Sequence, residues 1–184
     1  PGIYDLEIFP FKTMKTGQTK SWIDHENLKS NKLKRKDRRY LESLGTKGFL
    51  VFHGDTLVLE RYFGSHNQKT VSNSFSAGKT IVALLIGIAI EEGKIKGLDE
   101  PVANYIPEFK TDGKEKVTIR HLLMMASGLS WHESGSNPLS DNAASYYGSD
   151  LYGLVTAQTV EREPGRTFIY QSGNTQLLGF VIKA

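Results

Sequence analysis

Between Thr80 and Ile90 the chain carries no charge, and on a helix these residues are apolar on every side. A helix of that kind is expected to be buried rather than amphipathic, so the rest of the fold has to be built around it. Ser74 reads as its N-cap, and Gly93, after Glu91-Glu92, reads as the residue that stops it. Ser76 and Lys79 lie three residues apart at its mouth, a spacing that puts their Cβ atoms roughly 5–6 Å apart on one face. Three readings compete. The pair is an activated nucleophile of the Ser-x-x-Lys kind, with the amine accepting the hydroxyl proton. Alternatively, Gly78-Lys79-Thr80 is the tail of a phosphate-binding loop, or the spacing is accidental. The phosphate loop needs glycine where the chain has Asn73, and an apolar strand where Ser65 to Ser72 is largely polar. No other Ser-x-x-Lys occurs in the chain, and this one opens its most apolar segment.

The rest of the composition narrows the class. With 184 residues, 39% hydrophobic and 23% charged, the chain is of a size and balance for one globular domain with a sizeable core. Its longest apolar run is too short to span a bilayer. Without cysteine there are no disulfides and no thiolate metal sites. The net charge of +3 is concentrated in Lys32, Lys34, Arg35, Lys36, Arg38 and Arg39. Leu33, Tyr40, Leu41 and Leu44 recur through that stretch at helical spacing, which gives a surface helix with a solvated basic face. Aromatic and basic residues do not alternate as in base-stacking surfaces, so nucleic acid is not an expected partner. His25, His53, His66, His121 and His132 show no metal-ligand spacing, and His121 reads as a local packing or capping residue; no metal or cofactor is expected. There is no paired-carboxylate pattern for glycoside chemistry and no G-x-S-x-G elbow.

In chain order, 1–47 reads as an irregular leader with scattered aromatics (Tyr4, Phe9, Phe11, Trp22) followed by the basic helix. Two apolar runs, 48–53 and 56–63, joined by Gly54-Asp55, read as a β-hairpin within 48–70. The nucleophile helix fills 71–95. From 96 to 184 the chain reads as mostly helical. It has a proline-broken loop with a short helical turn near 101–107, then a helix from Ile119 to Ala126 capped by Thr118 and stopped by Ser127-Gly128. A long irregular segment over 131–150 is of the functional kind. A short helix at 151–157, a turn at Glu163-Pro164-Gly165-Arg166, an extended Phe168-Ile169-Tyr170 and an apolar helix from Thr175 complete the chain. The fold class is α/β of the α+β kind, an antiparallel sheet flanked by helices plus a helical region. One hairpin is too little sheet to stand alone, and the last helix carries no cap. The chain therefore reads as the N-terminal part of a single larger domain, with further strands and a C-terminal helix expected downstream.

These residues, in this order, resemble the serine hydrolases related to class C β-lactamases and penicillin-binding proteins. Ser74-Phe75-Ser76-Ala77-Gly78-Lys79 is similar to that family's nucleophile motif, and Gly87 to Lys94 with Leu98-Asp99-Glu100-Pro101-Val102 to the segment after it. Thr118-Ile119-Arg120-His121-Leu122-Leu123 through Ser127-Gly128-Leu129 resembles its helix ending in Ser-Gly-Leu. Pro164-Gly165 through Tyr170-Gln171-Ser172-Gly173-Asn174 resembles its Tyr-x-Asn region. The resemblance implies a β-lactamase/transpeptidase-like fold, with Ser76 as nucleophile, Lys79 as its activator and Tyr170 as the proton shuttle. A lysine amine is a base only when neutral, and a reference pKa of about 10.4 puts neutrality roughly 4 kcal/mol uphill near pH 7. Burial beside the apolar helix and the positive end of the helix dipole both favour the neutral form. Which of Lys79 and Tyr170 is the working base stays open.

Two departures bear on substrate. Ser172 stands where Tyr-x-Asn has its carboxamide, and a hydroxyl is shorter and less directional. That resembles the branch of esterases and 6-aminohexanoate-dimer hydrolases. The expected order is therefore ester or small-amide hydrolysis first, D-amino-acid peptidase second and β-lactamase third. The rival from another class is a non-catalytic, penicillin-binding-like protein that holds peptide or cell-wall fragments. Tyr147-Gly148-Ser149 is a second Tyr-x-Ser, but the Pro-Gly before Tyr170 and the helix after it favour Tyr170. Trp131, Tyr146, Tyr147 and Ser172 are candidate substrate contacts, satellite core packing being the alternative for the aromatics. The family's late Lys/His-x-Gly strand has no downstream counterpart here, and Lys15-Thr16-Gly17 spells it only upstream, in the leader. The family suggests an extracytoplasmic location; oligomeric state stays open. Because that late strand supplies one oxyanion N–H, worth on the order of 10²–10³ in turnover, the 184 residues by themselves are expected to be inactive. Robust ester turnover by the isolated chain would contradict this.

Overall fold

The computed structural model describes residues 2–7, 13–15, 17–18 and 21–184; Phe9, Phe11 and Thr16 lie outside the described residues. The chain forms two compact units, Pro1–Ser74 and Phe75–Ala184.

In the first unit Gly54-Asp55 links β2 (Gly48–His53) to β3 (Thr56–Tyr62), with His53 paired to Thr56. Gly54 sits at φ +57, which a residue without Cβ adopts freely, and the expected hairpin closes through this two-residue link. The pairing slips between Val51 and Phe52: Val51 opposes Leu59 while Phe52 opposes Leu57, leaving Val58 as the extra residue of a bulge. The sequence predicts an antiparallel sheet, and the sheet is mixed. β1 (Ile23–Asp24) runs parallel to β3 along its other edge, in the order β1-β3-β2. Two residues are too few to show strand alternation, so β1 left no signal. The basic stretch is helical as α1 (Arg35–Ser43), a surface helix that buries none of its residues. Tyr40 and Leu44, counted on its apolar side, are exposed.

The second unit begins with a 3-10 turn, Phe75–Ala77, running into α2 (Gly78–Glu91). Ser74 is therefore not the N-cap: Ala77 occupies that position without a side-chain cap, because the 3-10 turn intervenes. Gly93, at φ +69, does follow the C-terminal end. Nor is α2 buried all round. Ile86 is fully buried, whereas Ile81 and Leu84 are 58% and 59% exposed, and Leu85 and Ile88 are also exposed. The helix packs on α6 (Ser172–Lys183), which begins three residues earlier than the apolar pattern indicated and also contacts α3 (Ile119–Leu123). The core gathers around Phe109, with Ile86, Val102, Ile119, Leu122 and Leu177. Among the described residues no helix is long and apolar enough to cross a membrane.

Thr118 caps α3 as expected, and His121 supplies the other half of the cap. Thr118 Oγ1 accepts the His121 N–H at 3.3 Å and His121 Nδ1 accepts the Thr118 N–H at 3.3 Å. The helix stops at Leu123 rather than Ala126, because Met125 turns left-handed at φ +53 and Gly128 follows at φ +74. Segment 131–150, expected to be irregular, contains α4 (Asp141–Tyr147), capped by Ser140 Oγ on the Ala143 N–H at 3.1 Å. Its Ser, Asn and aromatic content masked the helical spacing. α5 (Leu151–Thr156) follows, with Asp150 accepting the Gly153 N–H at 2.8 Å.

Gly128 is a point where no side chain fits. Its backbone is left-handed, and an added Cβ would overlap the Arg162 carbonyl. That carbonyl's segment is held in place, since the Glu161 and Arg162 N–H groups both donate to Gly128 O at 2.9 and 3.1 Å. Gly128→Ala should destabilise the unit by about 2–4 kcal/mol. Gly87→Ala, mid-helix with open space around it, should leave stability unchanged or raise it by about 0.5–1 kcal/mol. Thermal melts of the two variants check the contrast.

Candidate active site

Ser76 leaves the 3-10 turn just ahead of α2, directly after Phe75, whose φ of +44 is unusual for an aromatic residue. Lys79 lies in the first turn of the helix and reaches back: its Nζ donates to Ser76 Oγ at 3.1 Å. Tyr170, 94 residues after Ser76 in sequence, donates from its phenol to the same Oγ at 2.8 Å. The Lys79 ammonium lies 5.1 Å from the centre of the Tyr170 ring. The three groups that the sequence picked out thus converge on one oxygen. Within these 184 residues Lys79 is half-buried and Ser76 exposed.

Tyr170 arrives there because residues 159–172 are laced onto residues 125–133. The Ser130 N–H donates to Thr159 O at 2.9 Å, the Gly165 N–H to Ala126 O at 2.7 Å, and the Ile169 N–H to Met125 O at 2.8 Å. Past the phenol, Gln171 donates from Nε2 to Leu129 O at 2.7 Å, and the Ser172 N–H to Glu133 Oε2 at 2.6 Å. Beneath them Ser127, Gln171 and Asn174 form a buried polar net: Ser127 Oγ donates toward Asn174 Oδ1 at 2.7 Å and lies 3.3 Å from Gln171 Oε1. The left-handed turn at Met125, which ended α3 early, is what presents carbonyls to this lacing.

The phenol's acidity follows from its neighbours. Burial raises its pKa, but hydrogen bonds from Lys79 and Ser76 and the lysine's positive charge outweigh it, with Glu133 opposing them, and the net value falls below the usual tyrosine range. The contrast with other tyrosines is sharp. Tyr62 is pushed up to about 12, chiefly by its hydrogen bond to Glu60, and Tyr105 to about 12 by burial and Glu100. On ionisation the 2.8 Å contact reverses, with Ser76 donating to a phenolate.

A cleft of about 370 Å³ opens beside these groups, lined by Ser76, Lys79, Glu133, Tyr146, Ser172 and Thr175 among others. Of the candidate substrate contacts, Tyr146 and Ser172 line it. Trp131 does not: it is 5% exposed, part of the core, and pressed so closely on Gly173 that a Cβ there would lie 2.5 Å from the indole. Tyr147 is 71% exposed and stacks at an angle on Tyr146 rather than facing the cleft. Glu133 escaped the sequence reading, because a single carboxylate in a Ser- and Asn-rich stretch has no partner in local spacing. Its carboxylate accepts from Trp131 Nε1 at 2.7 Å and from Ser172 Oγ at 2.6 Å, as well as from the Ser172 N–H. Among the described residues no group of His, Asp and Glu side chains is arranged to hold a metal ion.

Hydroxyl, amine and phenol at the mouth of one helix, on a fold of the β-lactamase/transpeptidase kind, define the class of protein. The Beta-lactamase family model matches residues 34–184, and the chain belongs to that family. Among solved structures it is similar to a Bacillus anthracis protein provisionally assigned as a 6-aminohexanoate-dimer hydrolase (25% identity, TM-score 0.68), over 79% of this chain and 42% of that one. It is also similar to a provisionally assigned β-lactamase of Bacteroides dorei DSM 17855 (23% identity, TM-score 0.66), over 80% of this chain and 44% of that one. A penicillin-binding protein of Bacillus halodurans shares the fold at 20% identity and TM-score 0.56, over 79% of this chain and 48% of that one. An uncharacterized protein of Alkalihalophilus pseudofirmus is 27% identical over 104 residues, 52% of this chain and 30% of the relative. The chain thus spans less than half the length of each of these relatives.

If Lys79 is what holds the phenol's pKa below the tyrosine norm, Lys79→Met should raise that pKa. Ultraviolet titration of phenolate, taken as the difference from Tyr170→Phe, should show one tyrosine ionising earlier than the rest, and later in Lys79→Met. An unmoved midpoint would refute the electrostatic account.

Proposed function

We propose that the whole protein is a serine hydrolase that forms an acyl-enzyme on Ser76 and cleaves an ester or small amide. The observation that carries this reading is a single oxygen, Ser76 Oγ, within hydrogen-bond reach of both Lys79 Nζ and Tyr170 Oη at the wall of an open cleft. The phenolate of Tyr170, favoured by the adjacent ammonium, takes the Ser76 proton as Oγ bonds to the substrate carbonyl carbon. The same proton passes to the departing alcohol or amine when the carbon–heteroatom bond breaks. Water then repeats the sequence against the acyl-serine. In this division of labour Lys79 acts as a charge beside the phenol and Tyr170 as the base, a choice favoured by the phenol's bond to Ser76 Oγ and its lowered pKa.

The cleft wall bears on the proposed substrate class. Ser172 offers a hydroxyl, already donated to Glu133, where a carboxamide would grip a β-lactam side chain from both sides. That supports esters and small linear amides ahead of D-amino-acid peptides, with β-lactams last. Similarity to the Bacillus anthracis structure points the same way. Because the chain spans 42% of that structure, the activity is proposed for the full-length protein.

In the full-length protein a fluorophosphonate probe should label Ser76, and Ser76→Ala should abolish labelling. Lys79→Ala and Tyr170→Phe should each slow it by about 10²–10⁴. Equal labelling of Ser76→Ala refutes the reading. Absence of labelling in the unaltered protein, with thermal stabilisation by cell-wall peptides, would instead identify a non-catalytic binder.

A further inference from the structure

Tyr170 donates its phenol to Ser76, but its backbone neighbours decide where that phenol stands. The residue after next, Ser172, opens α6, and Gln171 at the helix's N-cap position offers no side-chain cap. Glu133 fills that gap from another segment. One carboxylate oxygen accepts the Ser172 N–H at 2.6 Å and the Trp131 indole N–H at 2.7 Å; the other accepts Ser172 Oγ at 2.6 Å. Charge-assisted bonds this short are roughly twice as strong as neutral ones, and a carboxylate at a helix N-terminus is further favoured by the helix dipole. The indole that orients Glu133 is itself buried in the core, pressed against Gly173. Among the described residues Glu133 forms no ion pair, so its charge is held by these three dipoles while its side chain remains at the cleft wall.

We infer that Glu133 is a positioning residue: anchored by Trp131, it clamps Ser172 at the start of α6 and so fixes the Tyr170 phenol on Ser76. The inference rests on the proposed acyl-enzyme reading and adds to it a residue outside the Ser-Lys-Tyr set. Glu133 has a second, opposing action. The charged groups acting on the phenol are Lys79 from α2, which favours its ionisation, and Glu133 from the 125–133 segment, which disfavours it. Geometry and charge can therefore be separated experimentally, because the clamp serves the reaction while the charge acts against the phenolate.

The test is the rate of fluorophosphonate labelling of Ser76 in the full-length protein across pH, for the unaltered chain, Glu133→Gln, Ser172→Ala and Ser76→Ala, with melting temperatures beside each. Glu133→Gln keeps the shape but loses the charge and one acceptor. Its plateau rate should fall about tenfold, and the midpoint of its acid limb should move down by about 0.5–1 pH unit as the opposing charge is lost. Ser172→Ala keeps the charge while removing one contact, so its plateau should fall with its midpoint unmoved or nearly so. A merely structural carboxylate would lower melting temperatures and leave the plateau alone, whatever its charge does to the midpoint. A wild-type plateau in Glu133→Gln, with labelling still dependent on Ser76, overturns the inference and leaves the acyl-enzyme reading standing. Labelling that persists in Ser76→Ala overturns both.

Discussion

Everything at the site depends on two stretches of chain held side by side, residues 125–133 and 159–172. Neither is a strand or a long helix, yet backbone and side-chain hydrogen bonds pass between them from Ser130–Thr159 to Glu133–Ser172. Each such bond adds only about 1 kcal/mol net, so the value of the set lies in leaving no slack. The left-handed turns at Met125 and Gly128 are the condition for it, since a continued helix would have spent those carbonyls on its own ladder. A short α3 and a well-placed phenol are thus one fact.

The hydroxyl, amine and phenol reach one point by different routes, set by where each element begins. Ser76 and Lys79 come as neighbours on consecutive turns, so their contact is local and inexpensive in chain entropy. Tyr170 comes from 94 residues away and has to be delivered by packing. The ammonium beside the ring both attracts the π face and favours the ionised oxygen, which makes this tyrosine differ from those bonded to carboxylates.

Local chemistry was legible in the sequence, and distant geometry was not. The hairpin at Gly54-Asp55 and the cap at Thr118 are set by neighbouring residues, and both could be read from the chain. The family resemblance extended that to Tyr170. An uncharged segment says what a helix lacks, not which of its sides meets a neighbour; within these 184 residues Ile86 of α2 is enclosed while Ile81 and Leu84 are not. α4 was hidden by cap-forming residues that also make loops. Trp131 and Glu133 show the sharpest limit. An aromatic in a polar segment fits a cleft as well as a core, and a carboxylate that takes two of its three bonds from Ser172, 39 residues away, leaves little trace in spacing.

The buried net of Ser127, Gln171 and Asn174 separates two kinds of change the molecule can tolerate. Sliding α6 by one residue would strand two carboxamides in an apolar interior, at a cost of several kcal/mol, so the helix has a single permitted setting. Side chains on the outer side of that same helix, such as Thr175 and Gln176, face the opening and carry no such obligation. The wall of the cleft can therefore be rewritten at those positions while Ser76, Lys79 and Tyr170 keep their spacing.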